Sequence, residues 1–272
     1  MNFTVLGASG FVGSNLVSML KKSNISYFAP KRDENLTNRK NGNIIYCIGL
    51  TADFREKPFE TIEAHVCKLK QILEECEFDS LTYLSSTRVY SHNVGSVNEN
   101  SLVSLSITDP FDLFNSSKLT GELLALNCGK KKIKIARLSN VYGYDFESKN
   151  FITSIVTDAV TKGKIVLRTT PDSAKDYIGV DDVVNLLYKI SIEGKESVYN
   201  VASGFNTSND EILKVIQNET GCKIEYLQTA ERNIFPEIQV NRIKDEFGFS
   251  SSSNLLQNIP KIIKKLKQTT LK

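Results

Sequence analysis

Short apolar runs alternate along the chain with longer segments in which apolar residues recur every three or four positions. Such short runs are typical of strands buried in a parallel sheet, whereas the longer spacing predicts amphipathic helices. Up to residue 143, the pattern predicts strands directly before Gly7 and at 25–29, 43–50, 81–84 and 133–138, and helices carrying Val12 to Leu20 and covering 61–75 and 112–127.

Beyond residue 143 the alternation is less regular. Ser208 and Glu211 form a capping-box pattern, which predicts the start of a helix that ends at Gly221. Asp181 and Asp182 are interpreted as the N-terminal end of another helix rather than as a catalytic pair, because acidic residues there complement the helix dipole. The other predicted elements are helices at 151–161 and 255–271 and strands at 164–168 and 197–202.

The regular alternation in the first half predicts an α/β fold with a doubly wound parallel sheet of the Rossmann type. Strand–helix–strand units join parallel strands by right-handed crossovers, so repeated units build one such sheet. We assign residues 1–143 to the domain of this sheet, with 176–204 returning to it. Residues 144–175 and 205–272 are assigned to a smaller C-terminal α/β lobe.

Composition and charge narrow the function classes. The net charge of +3 is too small to indicate a nucleic-acid partner, and no apolar run approaches the length of a membrane span. The five cysteines are scattered and odd in number, which favours free buried thiols in a reducing compartment. We therefore expect a cytoplasmic protein that binds neither nucleic acid nor membranes. Two histidines are too few for a histidine metal site, so no metal is expected.

The segment GASGFVG at 7–13 carries the clearest chemical signal. Gly7 permits a tight turn after the first strand, and Gly10 lets backbone N–H groups approach phosphate oxygens. Gly13 lets the following helix lie close to the strand. The N-terminus of that helix offers free N–H groups and the positive end of its dipole to an anion. This arrangement predicts that the turn binds the pyrophosphate of a dinucleotide.

The end of the second predicted strand indicates which dinucleotide binds. In sheets of this type, an acidic residue at this point bonds the 2′-hydroxyl of NAD, whereas basic residues accommodate the 2′-phosphate of NADP. Lys31 and Arg32 follow the strand, so we expect NADP. Asp33 and Glu34 lie just beyond and would serve NAD, which remains the alternative cofactor.

Four segments, in this order and spacing, resemble the extended short-chain dehydrogenase/reductases, the group of NAD(P)-dependent nucleotide-sugar epimerases, dehydratases and reductases. They are GASGFVG at 7–13, LSSTRVY at 84–90, RLSNVYG at 137–143, and KDYIGVDDVV at 175–184 with YNVASG at 199–204. The resemblance implies a cofactor lobe, a smaller substrate lobe and chemistry in the cleft between them. It also implies a nucleotide-sugar substrate, and by analogy a homodimer formed through the helices at 61–75 and 112–127.

The resemblance further implies a catalytic trio of a hydroxyl residue and a tyrosine four positions before a lysine. Ser86 matches the hydroxyl residue and Lys118 matches the lysine, but the tyrosine position is Phe114. Phenylalanine lacks the phenol that exchanges a proton with the substrate while hydride moves. Phe114 is therefore an engineered replacement that traps a complex, a natural residue, or the mark of a cofactor-binding module without catalysis. In a natural enzyme, Ser86, Thr87 or a water relay would move the proton, with Tyr90 as a weaker candidate.

The expected reaction depends on the run Ser86-Thr87-Arg88 at the end of a strand. In the 4,6-dehydratases of this group, the corresponding residues follow a Thr-Asp-Glu pattern, whose carboxylates drive the elimination of water. This chain has no carboxylate at these positions, which argues against dehydration. Together with Arg32, this favours reduction of a keto-deoxysugar nucleotide by NADPH over epimerisation by a tightly held NAD. Ser86 would bond the carbonyl oxygen. Lys118 would bind the nicotinamide ribose and tune a proton donor at position 114.

The remaining expected site residues come from the ends of the predicted strands and from the matched segments. Asn140 is expected either to contact the sugar nucleotide or to cap its own loop, and Arg168 either to meet the diphosphate or to stay in solvent. The expected cofactor-binding residues are Gly7, Ser9, Gly10, Phe11, Val12, Gly13, Lys31, Arg32, Gly49, Leu50, Lys118 and Leu138. The expected substrate-binding residues are Ser86, Thr87, Asn140, Lys175 and Tyr177.

Overall fold

Strands and helices alternate through the first half of a computed structural model, which describes residues 2–32, 34–146, 148 and 150–270. The strands are β1 (Asn2–Leu6), β2 (Ser26–Phe28), β3 (Asn43–Tyr46), β4 (Ser80–Ser86), β5 (Ser96–Val97), β6 (Ile133–Leu138), β7 (Asn140–Tyr142), β8 (Lys164–Thr169), β9 (Ala174–Gly179), β10 (Val198–Val201), β11 (Asn206–Ser208), β12 (Lys223–Glu231) and β13 (Glu237–Ile238). The helices are α1 (Phe11–Lys22), α2 (Pro58–Ile62), α3 (Lys68–Glu75), α4 (Asp112–Asn127), α5 (Phe151–Lys162), α6 (Val180–Glu193), α7 (Asn209–Thr220), α8 (Asn241–Phe247) and α9 (Leu255–Thr270).

Six of the described strands form one parallel sheet in the order β2-β1-β3-β4-β6-β10. The predicted doubly wound sheet is confirmed. The strand order reverses at β1, because β2 lies on one side of it and the later strands on the other. In open sheets of this kind, ligands bind at the carboxyl ends of the strands, near this reversal. Gly7, Cys47, Thr87 and Ser139 directly follow four of these strands, so their loops meet at one edge.

Several predicted boundaries differ from the observed ones. β3 ends at Tyr46 and not at residue 50, although the Cys47 N–H still donates to the Leu6 carbonyl at 2.8 Å. The helix predicted at 61–75 is divided into α2, a π-helical turn (Glu63–Cys67) and α3. The helix predicted at 112–127 is confirmed as α4. The capping box predicted at Ser208 is also confirmed, with Gly221 in the left-handed conformation at the end of α7.

The second lobe contains short strands that the apolar pattern did not predict. β7, β9 and β11 form a three-stranded sheet in which Asn140 pairs with Tyr177 and Asn206 with Asp176. The carboxylate of Asp176 accepts hydrogen bonds from the backbone N–H groups of residues 203–205, which fixes the turn before β11. Helices α5, α7 and α9 enclose a separate apolar core beside the β8–β12 pair.

The chain passes between the two cores more than once, and the assignment of its residues to two domains stays a prediction. Residues 176–179 belong to β9, so the chain returns to the six-stranded sheet only with α6 and β10. A second return follows β13, because Val240 and Ile243 pack in the same core as Leu187. Residues from 205–272 therefore contribute to both cores.

The cysteines are unpaired, and the C-terminal tail forms a helix. All five cysteines are free, as expected, but only Cys76 and Cys222 are buried, and Cys67 is exposed. The predicted tail helix is α9, whose apolar face packs in the second core. In the part of the chain that the structure describes, no helix is both long enough and apolar enough to cross a membrane.

Candidate active site

The turn between β1 and α1 leaves room for an anion. Gly7 has a φ of +79°, and a Cβ there would lie 2.8 Å from the backbone carbon of Cys47. A Cβ on Gly13 would lie 2.2 Å from the Gly7 carbonyl oxygen, so α1 approaches the turn more closely than a side chain permits. Gly10 begins α1 without a side-chain cap, and Ser9 and Gly10 are both exposed. The first N–H groups of α1 are thus available to a phosphate, and the turn fits the pyrophosphate of NAD(P).

Ser86 lies at the carboxyl end of β4, beside the end of β6. Its Oγ accepts a hydrogen bond from the Arg88 N–H at 3.2 Å and donates a long one to the Leu138 carbonyl at 3.4 Å. The side chain is half-buried, and the 3₁₀ turn of residues 87–90 starts directly after it. The hydroxyl is therefore fixed in position, and its long bond to Leu138 is easily exchanged for a bond to a ligand.

Lys118 projects from α4 towards the same edge of the sheet. Its Nζ donates to the Leu84 carbonyl at 2.9 Å, and a Cβ on Gly49 would lie 3.3 Å from Nζ. Burial lowers the pKa of Lys118 to about 7, although the carboxylate of Glu122 acts in the opposite direction. The ammonium therefore loses its proton readily near neutral pH. Gly49 and Lys118, both expected to bind the cofactor, therefore lie next to each other.

Phe114 lies one helical turn before Lys118 and is fully buried. Its ring packs against Phe54 at a centroid distance of 5.4 Å and against the edge of His65 at 5.4 Å. The guanidinium carbon of Arg88 lies 4.6 Å from the ring centre. The ring at the expected tyrosine position is thus enclosed by two aromatic side chains and a cation.

His65 is a site residue that sequence reasoning missed. Its Nε2 accepts the Leu50 N–H at 3.2 Å, and its Nδ1 lies 2.8 Å from Ser117 Oγ. Since Ser117 Oγ donates to the Phe114 carbonyl at 2.8 Å, the network assigns the proton to Nδ1. Burial and then the nearby Lys118 lower the pKa of His65 to about 2, so the ring stays neutral. It joins the loop after β3 to α4.

A π-helical turn places His65 in that position. Such turns widen the helix and disturb its regular hydrogen bonds, and they are frequent at functional sites. Two buried tyrosines donate to carbonyls in this turn: Tyr46 to Ala64 at 2.7 Å and Tyr83 to His65 at 3.2 Å. A Cβ on Gly121 would lie 2.5 Å from the Tyr83 hydroxyl, which explains a glycine at that point of α4.

Arg88 is a second residue near the site that the sequence did not indicate as a site residue. Burial, and then repulsion by Arg55, lower the pKa of Arg88 to about 10. Burial and then the charge of Arg88 also lower the pKa of Lys175 on β9. Among the described residues, none accepts a hydrogen bond from the side chains of Arg55, Arg88 or Lys175 or pairs with them as an anion. Three cations thus lie near one another, and none of them has a counter-charge within the described part of the chain.

The other expected substrate residues lie in different surroundings. Asn140 is exposed, and its amide donates to the Asp176 carbonyl at 2.8 Å, so it bridges β7 and β9 as a structural amide would. Thr87 is buried in the 3₁₀ turn beside Ser86. Tyr177 packs in the apolar core of the second lobe, which does not support a substrate contact. Arg168 is exposed on β8.

Tyr90 is held in a buried polar network. Its hydroxyl accepts a hydrogen bond from Arg137 at 2.7 Å and lies 3.0 Å from the Asn200 side-chain oxygen. Arg137 in turn pairs with the carboxylate of Glu122 at 2.6 Å. The network explains why Tyr90 serves packing and not proton donation, since its hydroxyl is fully occupied.

The residues after β2 were expected to select the dinucleotide. Lys31 and Arg32 are exposed, and Glu34 accepts the Lys31 N–H at 3.0 Å; Asp33 lies outside the described residues. A third cation, missed by sequence reasoning, lies here: the guanidinium carbon of Arg39 is 3.5 Å from the ring centre of Phe28, the last residue of β2. The buried Nε of Arg39 has no hydrogen-bond partner among the residues that the structure describes.

One cluster of metal-binding side-chain types occurs among the described residues. His92, Asp109 and Asp112 bring their ligand atoms within 4.8 Å of one another. His92 Nε2 lies 2.7 Å from Asp112, which also accepts the Ser106 N–H at 2.6 Å. Because these contacts already occupy the carboxylate, the cluster fastens the loop before α4.

The glycine turn, the parallel sheet and the Ser86–Lys118 arrangement define a dinucleotide-binding protein of the short-chain dehydrogenase class. The model of the NAD dependent epimerase/dehydratase family matches residues 43–202, which include Ser86, Phe114 and Lys118 but not the glycine turn. The chain belongs to this family. The match confirms the resemblance drawn from the four segments.

Curated relatives and solved structures are consistent with this assignment. CDP-abequose synthase of Salmonella typhimurium is 26% identical over 92% of this chain and 89% of its own length. GDP-6-deoxy-D-talose 4-dehydrogenase of Aggregatibacter actinomycetemcomitans is 24% identical over 96% and 97%. MoeE5 in complex with UDP-glucose and NAD has a TM-score of 0.85 at 20% identity over 99% and 100%. RMD from Pseudomonas aeruginosa complexed with NADPH has a TM-score of 0.81 at 18% identity over 98% and 99%. These structures show the same fold.

Proposed function

We propose that the protein reduces a keto-deoxysugar nucleotide with NADPH. The proposal rests on the bonds that Ser86 Oγ and Lys118 Nζ donate to the Leu138 and Leu84 carbonyls, near the carboxyl ends of β6 and β4. At the same edge of the sheet, β1 leads into the turn that fits a pyrophosphate. The run from Ser86 to Arg88 offers no carboxylate to drive elimination of water. The printed names of two relatives, a CDP-abequose synthase and a GDP-6-deoxy-D-talose 4-dehydrogenase, support a nucleotide-linked deoxysugar as the substrate.

In this proposal, the cofactor supplies a hydride when it is bound. Ser86 Oγ exchanges its 3.4 Å bond with Leu138 for a bond to the substrate carbonyl oxygen, which orients the carbonyl group. Lys118 bonds the hydroxyls of the nicotinamide ribose, and its positive charge favours negative charge developing nearby. The proton that completes the new hydroxyl group comes from Ser86, Thr87 or a water relay, because Phe114 carries none.

The surroundings of Phe114 support it as a natural residue. Its ring is fully buried between Phe54, His65 and Arg88, so the apolar ring is matched by its neighbours.

The cations after β2 support NADP over NAD. Lys31 and Arg32 are exposed, and Arg39 stacks on Phe28 with an unpartnered Nε. Guanidinium groups bind phosphates through paired N–H donors, so this group suits a 2′-phosphate better than a 2′-hydroxyl. Glu34 is the competing acid, but it accepts the Lys31 N–H.

The test is to measure NADPH oxidation with a panel of 4-keto-deoxysugar nucleotides, using the wild type, Phe114→Tyr and Ser86→Ala. We expect turnover by the wild type with at least one substrate and a lower rate for Ser86→Ala. The proposal fails if neither the wild type nor Phe114→Tyr oxidises NADPH with any member of the panel.

The same experiment separates the two alternatives. An epimerase copurifies with NAD, inverts a sugar carbon and gives no net cofactor turnover. A binding module without catalysis gives no turnover even as Phe114→Tyr, and its nucleotide affinity is unchanged by Ser86→Ala.

A cytoplasmic location stays a prediction. We further propose that the protein forms a homodimer through α3 and α4. Phe59 on α2, the helix that leads through the π-helical turn into α3, is 86% exposed, and Leu123 on α4 is 64% exposed. Apolar side chains so exposed on neighbouring helices favour burial against a second copy. Sedimentation of the wild type and of Phe59→Glu with Leu123→Glu tests this, since a monomeric wild type refutes it.

A further inference from the structure

Phe114 leaves the site without its expected phenol, and Arg88 occupies the space over the same ring. The Arg88 guanidinium carbon lies 4.6 Å from the centre of the Phe114 ring and 5.1 Å from that of Phe54. Arg88 is also two residues after Ser86, in the turn at the carboxyl end of β4. Its donors therefore lie beside both positions that would contact the reacting carbonyl.

The electrostatic setting of Arg88 is unusual for a structural arginine. Buried arginines are normally paired with carboxylates, as Arg137 is with Glu122. Arg88 is half-buried against two aromatic rings, and no described residue accepts a hydrogen bond from its side chain. As far as residues 2–32, 34–146, 148 and 150–270 are concerned, its donors are available to a ligand.

Two further cations raise the positive potential around Arg88. The Arg55 guanidinium carbon lies 4.7 Å from the Phe111 ring centre and 5.8 Å from that of Phe54, the ring that Arg88 also contacts. Lys175 approaches from β9. Like charges held together without an anion raise the free energy of the empty site, and negative charge developing on a ligand relieves it.

We propose that Arg88 takes over from the missing phenol by donating hydrogen bonds to the substrate carbonyl oxygen as it gains negative charge. This inference rests on the proposed reductase function. A hydride from NADPH adds to the carbonyl carbon, the π electrons of the carbonyl move to oxygen, and the resulting alkoxide is stabilised by the guanidinium. A proton from water then completes the alcohol, and NADP⁺ and hydroxide are the other products. Arg88 is thus a catalytic residue that keeps its own proton.

The test compares the wild type, Arg88→Gln, Phe114→Tyr and the double variant in NADPH-dependent reduction. Removing one donor to an oxyanion typically lowers the rate about 10²–10³-fold. We expect Arg88→Gln to lower kcat by about that factor while KM changes little. The exposed Arg232 provides the matched control, Arg232→Gln, whose kcat should stay unchanged. Thermal melting and NADPH titration of each variant establish that the fold and the cofactor site are intact.

The double variant gives the sharpest outcome. If Arg88 replaces the phenol, Phe114→Tyr raises kcat much more in the Arg88→Gln background than in the wild type. In Arg88→Ala, millimolar guanidinium chloride, below denaturing concentrations, should restore part of the rate.

Three results would overturn the inference. The first is an equal effect of Phe114→Tyr in both backgrounds. The second is a rise of KM in Arg88→Gln with kcat unchanged, which makes Arg88 a ligand for a substrate anion. The third is an inactive wild type beside an active Phe114→Tyr variant, which leaves the proposed function standing. If both of these proteins are inactive with every keto-sugar nucleotide, the proposed function fails and the inference fails with it.

Discussion

Replacing Lys118 by methionine should stabilise the cofactor-free protein in a pH-dependent way. Burial lowers the pKa of Lys118 from 10.5 to about 7 in the folded chain. Between these two values, the unfolded chain binds more protons at this site, so the wild type gains stability as the pH rises. One pKa unit corresponds to about 1.4 kcal/mol. The free energy of unfolding of the wild type should therefore rise by about 2 kcal/mol between pH 7 and 9, relative to Lys118→Met.

Urea denaturation of both proteins at pH 6, 7, 8 and 9 measures this difference. Lys118→Met also loses the hydrogen bond from Nζ to the Leu84 carbonyl, but that loss changes the free energy of unfolding by the same amount at every pH. Exposed Lys264→Met is the control and should show no pH-dependent difference. The reasoning is wrong if the difference in the free energy of unfolding between wild type and Lys118→Met stays constant from pH 6 to 9. The buried ammonium then does not titrate near neutral pH.

Three further substitutions test the architecture around the site. Gly13→Ala places a Cβ 2.2 Å from the Gly7 carbonyl oxygen, so it should cost about 1–3 kcal/mol in urea denaturation and weaken NADPH binding in a fluorescence titration; unchanged values for both would refute the close approach. Glu122→Gln leaves Arg137 buried without its anion and should destabilise the fold by about 3–5 kcal/mol, as measured by denaturation. Arg39→Ala should weaken binding of NADPH more than binding of NADH, and equal losses for the two cofactors would remove Arg39 from the 2′-phosphate site.

The sequence predicted the parts of the fold that depend on local patterns. The glycine turn, the helix at 112–127 and the capping box at Ser208 each follow from residues close together in the chain, and each was observed. The sheet of β7, β9 and β11 was missed, because its strands are short and pair across long separations. The π-helical turn at 63–67 was missed as well. Its stabilising partners, Tyr46 and Tyr83, come from distant strands.

The residues of the candidate site also fall into those that sequence motifs predicted and those that only the structure identified. Ser86, Phe114 and Lys118 were found because they occupy fixed positions in motifs. The roles of His65, Arg39 and Arg88 depend on what lies next to them in space, and a sequence does not record whether a cation has a partner. Arg88 was noticed only because a carboxylate was missing from its segment. That segment gave no indication of the ring beneath it.

The path of the chain between the two lobes has a consequence for how the molecule comes apart. The backbone passes to the second lobe after β6, back with α6 and β10, out again with β11, back with β13 and α8, and out once more to α9. Neither lobe is a continuous segment, so no single cut in the chain yields two fragments that each contain one intact lobe. We therefore expect a single cooperative unfolding transition and no stable fragment under limited proteolysis. The cofactor lobe is then not a module that can be transplanted by itself, since its core is completed by residues from the last quarter of the chain.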